Sequence, residues 1–252
     1  ISASSQFAKT NARNAADEGS NYSNAFMWSR MIAPIYPVYM HDADGKILRD
    51  ANGEGIYDDS QSRLYAGGIN LIKQNLLNIQ KNTNYYLTEN ARIDVKLPYN
   101  FKFSTTATFN GNWWRWTNML NPLVGDGQAY GGILDKEVNQ TVSLNWNQIL
   151  KWDKTFNDFG VHVMLGHENY NEKTNFLNGE KKGLLDPTLP EFRSGANISS
   201  LDSYGREYKV EGYFGQVTTD YMDKYYASAS LRRDGSSVFH PDHRWGTFWS
   251  LG

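Results

Sequence analysis

The feature that most constrains the fold of this chain is a hydropathic period of two. From Phe101 one parity reads Phe101, Phe103, Thr105, Ala107 and Phe109; the other reads Lys102, Ser104, Thr106, Thr108 and Asn110. Alternation of this kind describes a strand with one apolar and one polar face. Just upstream, Ala91, Ile93, Val95 and Leu97 alternate with Arg92, Asp94 and Lys96. Between the two runs lies Leu97-Pro98-Tyr99-Asn100, with Pro and Asn where a tight turn wants them, so the pair reads as a hairpin.

The pattern recurs. Val138, Val142, Leu144 and Trp146 alternate with Asn139, Thr141, Ser143 and Asn145, and after a polar turn Phe159, Val161, Val163 and Leu165 alternate with Gly160, His162 and Gly166. A third hairpin runs through Tyr213 to Tyr221, turns at Met222-Asp223-Lys224 and returns through Tyr225, Ala227, Ala229 and Leu231. A last strand places Trp245, Thr247, Trp249 and Leu251 on one face. Each hairpin closes through a short turn, whereas the segments between hairpins look long. Alternating short turns and long loops is the rhythm of outer-membrane barrels. Aromatics also collect at the short turns: Tyr99 and Phe101 at the first, Trp152, Phe156 and Phe159 at the second, Tyr221, Tyr225 and Tyr226 at the third. On one side of a bilayer these residues form an interfacial girdle.

Composition agrees. Mean hydropathy is strongly negative, yet aromatics make up 14% of the chain, with 16 Tyr and 8 Trp. A barrel wall reconciles the two, since only alternate strand residues meet lipid and the lumen and loops are polar. No stretch approaches the length of a membrane helix; residues 26–40 are broken by Arg30, Pro34 and Pro37. The net charge of −2 argues against a nucleic-acid partner, and the absence of cysteine excludes disulfides, thiolate metal sites and cysteine nucleophiles.

The expected fold class is therefore all-β: about seven strands of a large antiparallel up-and-down transmembrane β-barrel. Seven strands do not close, so the chain, which starts without Met and ends within a strand-like pattern, reads as a segment. Residues 1–84 are expected as a long extracellular loop region, with a small hairpin between Asp42-Ala43-Asp44-Gly45 and Asp50-Ala51-Asn52-Gly53 and a helix within 68–80. Residues 85–252 are expected as barrel hairpins. Their extracellular loops would be 111–134, 168–204 and 234–243, and their periplasmic turns 97–100, 151–158 and 222–224. No internal repeat is read beyond the hairpin rhythm.

Residues 212–252, GYFGQVTTDYMDKYYASASLRRDGSSVFHPDHRWGTFWSLG, closely resemble the barrel signature of SusC/RagA-type TonB-dependent outer-membrane transporters. GYFGQV, LRRDGSS (231–237) and RWGTFWSLG (244–252) are the most specific parts; MIAPIYPVYMHDADG (31–45) resembles an external loop of the same family. His240 departs from the Gly more usual after the Phe. The resemblance implies a 22-stranded barrel in the outer membrane of a Gram-negative bacterium, with a plug that lies outside this segment. It implies import of oligosaccharides or peptides driven by the TonB complex, a SusD-like surface lipoprotein as lid, contact with outer-membrane lipid, and a dimer of the transporter–lid pair. Arg232 and Arg233 stand where their strand leaves the outer leaflet, within reach of lipid headgroups or loop carboxylates.

Three tryptophans, Trp113, Trp114 and Trp116, cluster where a strand is expected to enter a long loop. They suit an aromatic girdle or a stacking platform for a sugar or peptide substrate. Asp42 to Gly53 invites a calcium-loop reading, but the twelfth position is Gly53, not Glu, so turn chemistry accounts for it. His240-x-x-His243 lacks a carboxylate at metal spacing, and His162 and His167 fall on opposite strand faces. No catalytic residue, metal site or cofactor is expected, and no enzyme activity. A passive porin or adhesin barrel, or a soluble carbohydrate-binding β-sandwich using the tryptophans, are the alternatives.

Overall fold

The computed structural model describes residues 1–12, 30, 32, 34–64 and 67–252. Among the described residues eight strands form a single antiparallel sheet in strict sequence order. They are β1 Ser2–Ala12, β2 Ile79–Lys96, β3 Phe101–Leu120, β4 Ile133–Phe156, β5 Phe159–Leu184, β6 Gly195–Tyr221, β7 Tyr225–Ser236 and β8 Trp245–Leu251. Every strand pairs with its neighbour in sequence, so the sheet is an up-and-down meander. Its outer strands, β1 and β8, each have one unpaired edge, which lipid cannot satisfy. The sheet is thus a segment of a large antiparallel barrel.

Two sequence expectations need correction. The strand count is eight, not about seven, because β1 lies inside the stretch assigned to a loop. Its sequence, SASSQFAKTNA, has one large apolar residue, so alternation does not reveal it; eleven consecutive partners on β2, from Arg92 to Asn82, create it. The loops are also shorter than expected. β3 continues through Gly111 to Leu120, β5 through Glu168 to Leu184, and β6 begins at Gly195, so the long-loop connections are residues 121–132, 185–194 and 237–244. In these extensions apolar residues no longer keep to one face: β3 carries Trp113 and Met119 on one side and Trp114, Trp116 and Leu120 on the other, so a pattern based on apolar alternation stops there.

The short turns use left-handed backbone. Tyr99 and Asn100, and Met222 and Asp223, all have φ between 52° and 68°, the paired positive φ of a type I′ hairpin, and Asn157 has φ 54° in the middle turn. At that turn β4 runs further than expected, to Phe156, while β5 starts at Phe159 as expected, leaving Asn157 and Asp158 as the loop.

Register divides the sheet into two faces. One face carries Ile93, Phe103, Leu144, Trp146, Leu150, Val163, Leu165, Val217 and Leu231 near the short turns. These side chains are left uncovered: Trp146 is 49% exposed and Leu165 56%. Towards the other end the same face is treated differently. Met119 and Leu134, on β3 and β4, are fully buried, with Leu184, Ile79 and Phe192 packed around them. Met119, Leu134 and Leu184 are thus covered by protein at the long-loop end, where Leu177, Ile198 and Leu201 stay exposed, whereas Trp146 and Leu165 near the short turns are bare. Lipid solvates the bare band and water the rest.

Strand lengths agree with this division. A tilted strand crosses a bilayer in about 9–11 residues, whereas β5 has 26 and β6 has 27. More than half of each rises beyond the apolar band as a protein wall. Among the described residues no helix is long and apolar enough to cross a membrane.

Between β1 and β2 the small hairpin becomes a three-armed unit. The Met40 N–H donates to the Ile56 carbonyl, Ile56 to Leu48 and Leu48 to Met40, closing a ring of three backbone bonds. Asp42, Asp50 and Asp58 recur at every eighth residue, an internal repeat that period-two reading overlooks. Asp42 Oδ1 accepts from the Asp44 and Lys46 amides, and Asp50 Oδ1 from those of Asn52 and Glu54. Arg63, nearly buried, ties the unit together through the Pro37 and Asp58 carbonyls and the Asp58 carboxylate. A short helix, α1 Leu71–Leu77, follows within the stretch where one was expected. The expected loop region 1–84 also takes in residues 13–29, 31, 33, 65 and 66, which lie outside the described residues.

Candidate functional site

The face opposite the lipid band mixes polar side chains with aromatic rings and is the luminal face. Its rows follow from register. Trp114 stands beside Asn84 and Asn139, and Asn139 in turn faces Phe176, which faces Tyr204. The Phe176 and Tyr204 rings stack with centroids 5.0 Å apart. One row outward lie Trp116, Glu137, Asn178 and Asp202; two rows inward from Trp114 lie Thr88, Asn110, Ser143, Glu172 and Tyr208. Tyr208 meets Tyr170 edge-on at 6.0 Å, and the Tyr170 hydroxyl donates to Glu172 at 2.7 Å. Trp114, Trp116, Tyr170, Phe176, Tyr204 and Tyr208 therefore place six ring systems on one polar wall, above the depth of the lipid band.

The three tryptophans singled out in the sequence do not share a surface. Trp113 projects from the lipid-side face, where its ring lies over Gly111. Trp114 and Trp116 project into the lumen. All three are half-buried and lie inside β3, not at the mouth of a loop. The sequence reading missed Tyr170, Phe176 and Tyr204, which fall in the stretch 168–204 taken as a loop, and Tyr208, which lies between that stretch and the hairpin read from Tyr213. Carrying the parity of β5 onward from His162 and Met164 would have placed Tyr170 and Phe176 on the luminal face.

Acidic groups edge the platform. Asp135, on the outermost part of β4, is pushed up to about 6 by burial, with Glu137 and Glu180 adding repulsion. Asn178 donates to both Asp135 and Glu137 at 3.3 Å. In the loop 185–194, Lys136 holds Glu191 at 2.7 Å and lowers its pKa. Five asparagines of the luminal face, Asn84, Asn112, Asn118, Asn139 and Asn145, keep an amide oxygen without a donor among the described residues. Such a wall offers aromatic faces and hydrogen-bonding groups together, the pairing that suits an uncharged polar solute.

Nearer the short turns the wall is braced by ions. Arg232 Nη2 donates to Glu168 on β5 at 2.9 Å, and its Nε donates to Asp234 at 2.8 Å. The guanidinium crosses β6 over Gly212: a Cβ there would lie 2.5 Å from Asp234 Oδ1 and 3.0 Å from Arg232 Nη2. Gly166 makes similar room for the Phe214 ring. Arg233 turns to the other face, with its guanidinium over the Trp245 ring at 5.4 Å. His162 and His167 stand on opposite faces, as the alternation predicts. His162 meets Asp153 and Asp220 on the luminal side; His167 meets Gln148 and Glu211 and stacks on Tyr213.

The fold and its two faces define a class: the wall of a large transmembrane β-barrel with a polar lumen. Comparison with known proteins narrows it. No family model matches the chain. It is 25% identical over 178 residues to the TonB-dependent receptor SusC of Bacteroides thetaiotaomicron, and 26% identical over 178 residues to the TonB-dependent receptor P39 of Formosa agariphila. These alignments take in 70% and 68% of this chain but 17% of each relative, so the chain spans a small part of their length. In fold it is similar to the RagAB peptide transporter, with a TM-score of 0.68 and 16% identity, covering 79% of this chain and 23% of that one. The RagAB importer in its open-open state matches with a TM-score of 0.66. In sequence and fold the chain is thus similar to a barrel segment of SusC/RagA-type TonB-dependent transporters.

Proposed function

We propose that this segment is luminal wall and outer vestibule of an active outer-membrane importer of oligosaccharides or peptides. The observation that carries the reading is the six-ring luminal platform above the lipid band, on strands that rise well beyond it. The short turns would face the periplasm and the long-loop end the outside. A SusD-like lipoprotein would close over that end, and the TonB complex would act through parts of the protein beyond these strands. The assembly would be a dimer of transporter–lid pairs in the outer membrane of a Gram-negative bacterium. No step on this wall would make or break a covalent bond.

Trp114 and Trp116 are the residues most suited to stack on a sugar ring or an apolar peptide side chain, joined by Phe176 and Tyr204. Trp113 would serve the lipid-side girdle. The test uses the full-length protein with its lid. Binding of defined oligosaccharide and peptide mixtures is measured by calorimetry, and uptake is followed in cells with and without TonB. Loss of binding in Trp114→Ala and Trp116→Ala, but not in Trp113→Ala, and uptake that requires TonB, are the expected results. Uptake that continues without TonB would instead make the barrel a passive porin.

A further inference from the structure

We propose that the lipid-side face carries a specific site for a phosphate-bearing acyl lipid, with Arg233 as its headgroup ligand. The proposal rests on the outer-membrane placement argued above. Next to the bare apolar band the sheet is indented. Gly215 and Ala229, neighbouring rows on β6 and β7, form the floor, and Val163, Leu165, Val217 and Leu231 form the walls of a groove of about 600 Å³. The depression exists because the residue between Leu165 and Leu231 in their row is a glycine; a Cβ on Gly215 would already stand 3.2 Å from Leu165 Cδ2.

The groove has a polar end and an apolar end. Tyr213 and Arg233 close it on the side of the long loops, eight residues along their strands from the girdle tyrosines Tyr221 and Tyr225. Counted inclusively that is nine residues, within the roughly 9–11 in which a tilted strand crosses a bilayer. Arg233 therefore sits at the far interface, where phosphates lie. Its charge is free for such a partner: among the described residues no carboxylate pairs with it, and its recorded contact is with Trp245. The two acids closest in register are occupied. Asp234 is held by Arg232 on the other face, and Glu211 accepts from the Tyr213 hydroxyl at 2.6 Å and meets His167 at 3.2 Å. A lone guanidinium between two amphipathic rings, above an acyl-width groove, is complementary to an anionic headgroup with its chain attached.

The experiment is native mass spectrometry of the purified full-length transporter in mild detergent, with phosphatidylglycerol or phosphatidylcholine of identical chains added at equal concentration. The wild-type protein should retain phosphatidylglycerol several-fold more than phosphatidylcholine. Arg233→Gln should abolish the preference, Arg233→Lys should keep part of it, and Gly215→Leu, which fills the groove, should reduce both lipids. Lys209→Gln, on the same face but already paired with Glu207 at 3.1 Å, should leave the preference intact. Equal retention of the two lipids by the wild type, or a preference that survives Arg233→Gln, would overturn the proposal. Arg233→Gln removes a partly exposed side chain that makes no ion pair, so it decides the matter even if Gly215→Leu fails to fold. Fractionation of cell envelopes tests the outer-membrane placement separately.

Discussion

Replacing Arg232 by Met should weaken the barrel by about 2 kcal/mol, a figure that follows from where the clamp sits between an exposed and a fully buried ion pair. An exposed ion pair contributes about 0.2–1 kcal/mol, and breaking a fully buried one costs about 3–5 kcal/mol. Here the Arg232 side chain is 40% exposed and the two carboxylates are each 29% exposed, so screening removes much of the buried-pair value. The substitution also leaves Glu168 and Asp234 in one row with only Gly212 between them, two like charges without a cation. The assay is urea unfolding of the full-length protein in lipid vesicles, followed by tryptophan fluorescence and by loss of heat-modifiable mobility. A double-mutant cycle with Glu168→Gln isolates the pair, and a coupling of about 1 kcal/mol is expected. Additive effects in the cycle, or Arg232→Met within about 0.5 kcal/mol of wild type, would refute the claim that this guanidinium braces three strands.

Gly166→Val should be more damaging than its small volume suggests, because the new methyls enter the space of the Phe214 ring; reduced recovery of folded, heat-modifiable barrel is the readout. Replacing Met222-Asp223 by Asn-Gly should stabilise the hairpin by about 1 kcal/mol, since both positions hold left-handed backbone that a bulky residue adopts at a cost; an unchanged unfolding midpoint would contradict this. Asp135→Asn should raise stability at pH 8 and leave it unchanged near pH 4. The wild-type carboxyl is raised in the folded state, so its contribution is lost as pH climbs from the ordinary carboxylate range through about 6. Solvent screening holds the gain to about 1 kcal/mol, and an equal gain at both pH values would assign it to something other than ionisation.

The sequence by itself determined the architecture near the lipid. Where one face must meet hydrocarbon, residues such as Phe101, Phe103 and Phe109 have to alternate with Lys102, Ser104 and Asn110, and that constraint is written locally. The three short turns and the aromatics around them were legible for the same reason. Beyond the lipid band apolar residues fall on both faces among polar ones, nothing forces alternation, and β1 and the outer halves of β3, β5 and β6 left no periodic trace. Only pairing with neighbouring strands made them regular. The split of Trp113 from Trp114 and Trp116, and of Arg233 from Arg232, follows from parity once those residues are known to be in strand. The luminal platform, which draws its rings from three strands, and the groove over Gly215 arise from register between strands distant in sequence, and tertiary structure alone could decide them.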